Sequence, residues 1–367
     1  TGMNYIFSWH GNTELIIAII KLIEDKMNAD EDIREGGVQA ILLIEGGAEG
    51  DIVYLSFVEK GNFANIDSSV IKNGVFTFKG RQDTAVNRYV RSKEKVGNTN
   101  RKLYGDFFLE NGEINIVITP TGSTVSGTPN NDAYQAIRNE MYELQKNLAN
   151  VPKKEQMKEF DKIFTGVMKN AATRYISMPV GIHFLKQAQH FMETAELAAL
   201  LERIPEDLAN DPAIVRMKDL VKRKQATAVG CKFVDFIMTT PEGKTAKLSE
   251  YAGNGKVVLI DFWASWCAPC RSAIPRLIKI YEQYKDKGFE IVAVSLDQDA
   301  KAWKEAIGKM NMPWPQLSDL KAWKSEGVKS YAVATIPYTI LIDSQGKIIA
   351  RDLHEDELEK AIAESVK

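Results

Sequence analysis

Val257-Val258-Leu259-Ile260-Asp261-Phe262-Trp263-Ala264-Ser265-Trp266-Cys267-Ala268-Pro269-Cys270 is the stretch that decides how this chain is read. Val257–Trp263 is a nearly continuous apolar run, as a strand buried on both faces requires. It leads straight into two cysteines separated by two residues, at the start of a predicted helix from about Ala268 to Lys287. Pro269 suits the first helical turn, where a missing N–H costs little. A helix N-terminus presents free N–H groups and the positive end of the dipole, and both stabilise a thiolate. Cys267, at the exposed end, is therefore expected to be the attacking sulfur. Cys270 lies one turn later on the same face, within reach to resolve a mixed disulfide. Pro275 is expected to kink that helix.

Outward from this point, strand and helix alternate. A strand is expected at Glu290–Ser295, then helices around Ala300–Lys309 and from about Trp323 to Ala332. Strands Tyr338–Asp343 and Lys347–Arg351 should close as a hairpin over Ser344-Gln345-Gly346, before a last helix near Glu355. Two other uses of the cysteine pair fit the sequence less well. Structural zinc needs two more ligands, and only Cys231 and four scattered histidines (His10, His183, His190, His354) remain. A peroxidatic cysteine would follow a loop bearing proline and threonine, where this chain has Trp266. With three cysteines in 367 residues, a disulfide-built scaffold is excluded.

Trp266-Cys267-Ala268-Pro269-Cys270, Pro275 and Thr335-Ile336-Pro337 together resemble the TlpA/ResA family of extracytoplasmic thiol–disulfide oxidoreductases. The resemblance implies a C-terminal α/β thioredoxin-like domain with Pro337 in cis beside the cysteines. Ile336 would then be free to pair its backbone with an extended substrate segment. Trp266, Ala268 and Pro269 would complete the substrate-binding rim. The extra strand–helix insertion of that family would correspond to about Gln298–Leu320. One departure stands out: the family usually carries a glutamate three residues after the second cysteine, and here that residue is Ala273. Asp261 occupies the place of the buried aspartate of ordinary thioredoxins, so it is expected to exchange the resolving cysteine's proton alone.

Upstream, Val38–Ile44, Asp51–Phe57, Val75–Lys79, Leu103–Leu109 and Glu113–Thr119 read as strands. Lys72-Asn73-Gly74 and Glu110-Asn111-Gly112 read as tight turns. The spacing implies a β-sandwich or small barrel. From Asn131 to about Gln225 the period becomes helical: Tyr134, Ile137, Met141, Leu144 and Leu148 recur at three- and four-residue steps. A helix is expected from about Gly181 to Arg203, on which His183 and His190 share a face as packing residues. The segments Val70–Gly80 and Val125–Asn130 resemble the N-terminal β domain fused to such thioredoxin domains in Bacteroidetes. The expected organisation is an unassigned segment at 1–36, a β-sandwich-like domain at 37–129, a helical connector at 130–227 and the thioredoxin-like domain at 228–367. Leu15–Ile23 reads as a short amphipathic helix, and Thr1-Gly2 before Met3 as a cloning remnant.

Composition narrows the function. A net charge of −2 with both signs interspersed leaves no electrostatic footprint for nucleic acid. The basic stretch Arg91, Lys93, Lys95, Arg101, Lys102 reads as a solvated loop. No span reaches the roughly 18 apolar residues of a membrane helix. Cys231 reads as a small structural thiol; Trp263 as packing near the site; Trp303, Trp314 and Trp323 as core or groove walls. The expectation is an enzyme that reduces or isomerises protein disulfides outside the cytoplasm. Its partners would be disulfide-bearing clients and an upstream dithiol donor, and the dithiol itself carries the electrons, so neither cofactor nor metal is implied. The rival is a ligand- or surface-binding protein whose thiols serve regulation.

Overall fold

The computed structural model describes residues 38–44, 49–92, 104–119 and 122–366. The expected helix at Leu15–Ile23, the Thr1-Gly2 pair and the basic residues Lys93, Lys95, Arg101 and Lys102 lie outside the described residues. The chain divides into two compact units, one ending at Asp211 and the next beginning at Pro212.

Among the described residues the first unit carries eight strands: β1 (Val38–Ile44), β2 (Ile52–Glu59), β3 (Asn62–Val70), β4 (Val75–Gly80), β5 (Val86–Ser92), β6 (Tyr104–Leu109), β7 (Gly112–Thr119) and β8 (Gly122–Ser126). They form two four-stranded sheets, ordered β4-β1-β7-β8 and β3-β2-β5-β6. All pairs are antiparallel except β1 with β7. The Asn73-Gly74 turn takes φ of 53° and 74°, the left-handed pair that an Asn-Gly turn favours. Sequence periodicity missed β3 because nearly every residue in it is exposed or half-exposed, and Asn, Asp and Ser replace the apolar alternation.

Five helices follow: α1 (Pro129–Lys146), α2 (Lys153–Arg174), α3 (Pro179–Ala188), α4 (Thr194–Glu202) and α5 (Glu206–Ala209). The buried Asn131 side chain ties α1 to β6, accepting from the Phe108 N–H at 2.8 Å and donating to the Phe108 carbonyl at 2.7 Å. The single helix expected from Gly181 to Arg203 is instead two helices. A short 3-10 turn at Gln189–Phe191 and extended backbone at Met192 and Glu193 separate them. The break turns Met192, Leu197, Leu200 and Leu201 inward while Phe191 stays half exposed. His183 and His190 therefore do not share a helix; His183 packs edge-on against Phe108, Tyr134 and Phe184.

The second unit opens with α6 (Pro212–Ala226) and a short hairpin, β9 (Ile237–Thr239) with β10 (Thr245–Lys247). Then come β11 (Val257–Trp263), α7 (Ala268–Tyr284), β12 (Phe289–Ser295), α8 (Ala300–Lys309), β13 (Gln316–Leu317), α9 (Glu326–Ser330), β14 (Tyr338–Ile342), β15 (Ile348–Arg351) and α10 (Glu355–Ser365). The sheet order is β13-β12-β11-β14-β15, with β11, β12 and β13 parallel and the last two strands antiparallel. All seven residues of β11 are buried, which is why that strand reads as a continuous apolar run. α7 runs on through Pro275 to Tyr284. The helix expected at Trp323–Ala332 shrinks to a 3-10 turn at Ala322–Lys324 and the five residues of α9. Left-handed backbone at Ala322 and Ala332 cuts it at both ends.

Gly181, near the start of α3, tests this packing. A Cβ there would lie 1.8 Å from the Tyr175 carbonyl oxygen, a backbone atom that cannot swing away. We expect Gly181→Ala to destabilise the N-terminal unit by about 3 kcal/mol, an overpacking cost, read as an earlier thermal unfolding transition.

Candidate active site

The site is built where β11 ends. The β11–β14 ladder ends with Phe262 opposite Tyr338; Tyr338 directly follows Pro337, and Phe262 lies five residues before Cys267. The Ile336–Pro337 peptide is cis. Trp263 pairs with Ser295 on the other side of β11. Two neighbouring strands thus fix the direction in which the chain leaves β11 and enters α7.

Cys267 caps α7, with extended backbone at φ −80° and ψ 102°. It is joined to Cys270 by a disulfide spanning 5.3 Å between Cα atoms, and the Cys270 N–H donates to Cys267 Sγ at 3.2 Å. This contact places a helix-terminal N–H on the sulfur expected to attack. The cysteines are only 5% and 2% exposed, yet Trp266 is 56% exposed and Ala268 and Pro269 also face solvent. Ile336 and Pro337 are half-buried.

Asp261 lies within β11, opposite Thr339 of β14 and Ala293 of β12. Its side chain is buried and its Oδ2 has no hydrogen-bond partner. The nearby Thr339 hydroxyl does not serve it, since that group donates to the Leu353 carbonyl at 2.6 Å. Desolvation with no compensating donor pushes the Asp261 carboxyl up to about 7. The geometry therefore combines a redox-active sulfur pair with a carboxyl able to gain and lose a proton near neutral pH.

Cys231, His354 and the tryptophans Trp303, Trp314 and Trp323 lie elsewhere. Cys231 is a half-buried free thiol whose Sγ donates to the Gln225 carbonyl at 3.4 Å. His354 lies at the start of α10, 3.0 Å from Asp352. Trp303 and Trp314 are buried, whereas Trp323 is 45% exposed. Among the described residues, no three His, Cys, Asp or Glu side chains are grouped to hold a metal. Sequence reading missed Asp297, a buried carboxylate bonded to Ser265 just before Cys267. Its only sequence signal is its place two residues beyond the end of an apolar strand.

Comparison with known proteins bears on both units. The Redoxin family matches residues 228–367, and a domain of unknown function, DUF4369, matches residues 42–134. The chain is 32% identical to the thiol-disulfide oxidoreductase ResA of Bacillus thuringiensis subsp. konkukian over 127 residues, 35% of this chain and 70% of that one. It is 30% identical over 185 residues to the ResA of Geobacillus kaustophilus, covering 50% of this chain and 98% of that one. Among solved structures, the thioredoxin domain of a thiol-disulfide oxidoreductase from Bacteroides vulgatus shares 34% identity at a TM-score of 0.36, covering 38% of this chain and 99% of that one. The architecture is thus an N-terminal β-rich domain followed by a C-terminal thioredoxin-like Redoxin domain.

The raised Asp261 pKa has a consequence for stability. A carboxyl whose folded pKa lies above its unfolded value holds more protons folded than unfolded, so stability falls as pH rises between the two values. Here that window runs from the ordinary carboxyl value of 3.8 to about 7. We expect Asp261→Asn to match the parent near pH 4. By pH 8 the gain should grow to several kcal/mol, at most about 4 at 1.36 kcal/mol per unit. Urea unfolding across pH, with the disulfide intact, measures it.

Proposed function

The chain belongs to the ResA family of thiol-disulfide oxidoreductases, and from that premise we propose that it reduces or isomerises client-protein disulfides, with Cys267 attacking and Cys270 resolving. The observation that carries this reading is the Cys267–Cys270 disulfide at the N-terminus of α7, one sulfur of which accepts from a helix-terminal N–H.

In the reduced enzyme the Cys267 thiolate attacks one sulfur of a client disulfide. The client S–S bond breaks, a mixed disulfide forms, and the first client thiolate leaves. Cys270 then attacks Cys267 Sγ, the mixed disulfide breaks and the second client thiolate leaves. The enzyme retains the Cys267–Cys270 disulfide and the client gains two electrons. Asp261 takes the Cys270 proton in this direction and returns it when an upstream dithiol donor reduces the enzyme. Its unpartnered oxygen and its pKa near neutrality support that role. The exposed Trp266, Ala268 and Pro269, with the half-buried Ile336 before cis Pro337, form the rim against which an extended client segment lies.

A reducing direction is favoured by the residues between the cysteines. Ala268-Pro269 offers no histidine to stabilise the Cys267 thiolate further, as a strong oxidant needs. In the proposed anatomy, a β-sandwich-like module at 37–129 and a helical connector at 130–227 carry the redox domain at 228–367. The resemblance to TlpA/ResA proteins supports work outside the cytoplasm. No helix among the described residues is long and apolar enough to cross a membrane.

Cys270→Ala in the full chain should accumulate mixed disulfides on Cys267, released by dithiothreitol and absent when Cys267→Ser is added. A lack of adducts in cells expressing the variant would reject the dithiol mechanism. Asp261→Asn should slow disulfide exchange several-fold at pH 7, read by stopped-flow tryptophan fluorescence. Unchanged kinetics would remove the aspartate from the proton path.

A further inference from the structure

The buried Asp297 lies just past the end of β12, where continuing the parallel ladder sets it beside Ser265. It is 2% exposed, and three donors converge on its carboxylate. Oδ2 accepts from the Ser265 N–H at 2.9 Å and from the Ser295 hydroxyl at 2.7 Å, and Oδ1 accepts from the Ser265 hydroxyl at 2.5 Å. Its own N–H donates back to Ser295 Oγ at 3.0 Å. Trp263, just before Ala264, is bonded to the same side of the sheet as well. The Trp263 carbonyl accepts from the Leu296 N–H at 2.8 Å, and the Trp263 indole N–H donates to Gln316 Oε1 at 3.2 Å.

These partners share a location. Asp297 immediately precedes the segment Gln298–Leu320, and Gln316 lies near that segment's far end, where the Ser318 hydroxyl also donates to the Ser295 carbonyl at 3.1 Å. Both ends of this excursion are therefore bonded into the loop that delivers Cys267 or into the strand beside it.

We propose that Asp297 is a positioning residue for disulfide exchange, acting through Ser265 to aim Cys267 at the incoming disulfide, and that the Gln298–Leu320 segment roots this clamp. Attack on a disulfide proceeds along the axis of the bond being broken, so the sulfur's direction matters as much as its ionisation. Displacements of about 1 Å in such alignments cost up to about a hundredfold in rate. A buried carboxylate holding both the backbone N–H and the hydroxyl of Ser265 fixes the residue two before the attacking sulfur. The Ser265 bonds leave Cys267 itself untouched, so the clamp governs direction and not thiol chemistry.

The inference rests on the dithiol mechanism above. In the full chain, Asp297→Asn preserves volume but replaces one acceptor oxygen with a donor. We expect the attack of reduced Cys267 on a peptide disulfide to slow about tenfold, while its alkylation by iodoacetamide keeps the parent's pH profile. Ser265→Ala should lose a smaller part of the rate. The double variant should be no slower than Asp297→Asn alone, as expected of residues acting through one another. An unchanged exchange rate, strictly additive losses, or an alkylation profile altered in step with exchange would overturn the clamp. Should Asp297→Asn not fold, Ser265→Ala decides alone: slower exchange with an unaltered alkylation profile upholds the clamp, and parent kinetics reject it. Failure of the parent to reduce the peptide would indict the dithiol mechanism instead.

Discussion

The C-terminal domain depends on one strand having no free side. Val257–Trp263 is buried along its whole length and hydrogen-bonded to β12 on one edge and β14 on the other. A strand so enclosed cannot slip by one residue without carrying every side chain to the opposite face, so the place where it ends is fixed. Whatever follows it starts from a known point in a known direction. Here that is a three-residue approach, a capping cysteine and a helix. The reactive sulfurs are thus held by the most buried backbone in the domain, although they lie at its rim.

The same enclosure creates an electrostatic tension. A carboxyl placed in the middle of such a strand has water on neither face, and Asp261 keeps one oxygen without a donor. A protein selected only for stability would replace it, because an unpaired buried polar atom costs on the order of 1–3 kcal/mol. Asp297, just past the end of the neighbouring strand β12, sits in contrasting surroundings: equally buried, but with its oxygens occupied by three donors. The unpaired carboxyl is suited to moving a proton, the paired one to holding a loop.

Much of this was legible in the sequence, and for a physical reason. β11, the start of α7 and the closing hairpin are local features whose signals lie within ten residues, namely a continuous apolar run, a cysteine pair and a turn at Ser344-Gln345-Gly346. The expectation of a raised Asp261 pKa came from its resemblance to the buried aspartate of ordinary thioredoxins. What escaped depends on partners distant in sequence. Asp297 reaches back 32 residues to Ser265, and no periodicity announces such a bond. The break between α3 and α4 was hidden because residues on both sides of it keep a helical period. β3 was hidden because it is exposed and carries no apolar pattern.

The contrast in exposure around the disulfide also bears on how the protein lives among other thiols. Trp266, Ala268 and Pro269 stand proud while the bonded sulfurs lie below them. Little sulfur surface is offered to a small diffusing oxidant or reductant. A cysteine displayed on a polypeptide brings its own backbone, which can settle along the rim and lower its sulfur into place. On the proposed reading, access is rationed by shape, and electrons pass to partners that fit the rim before any thiol that happens to collide.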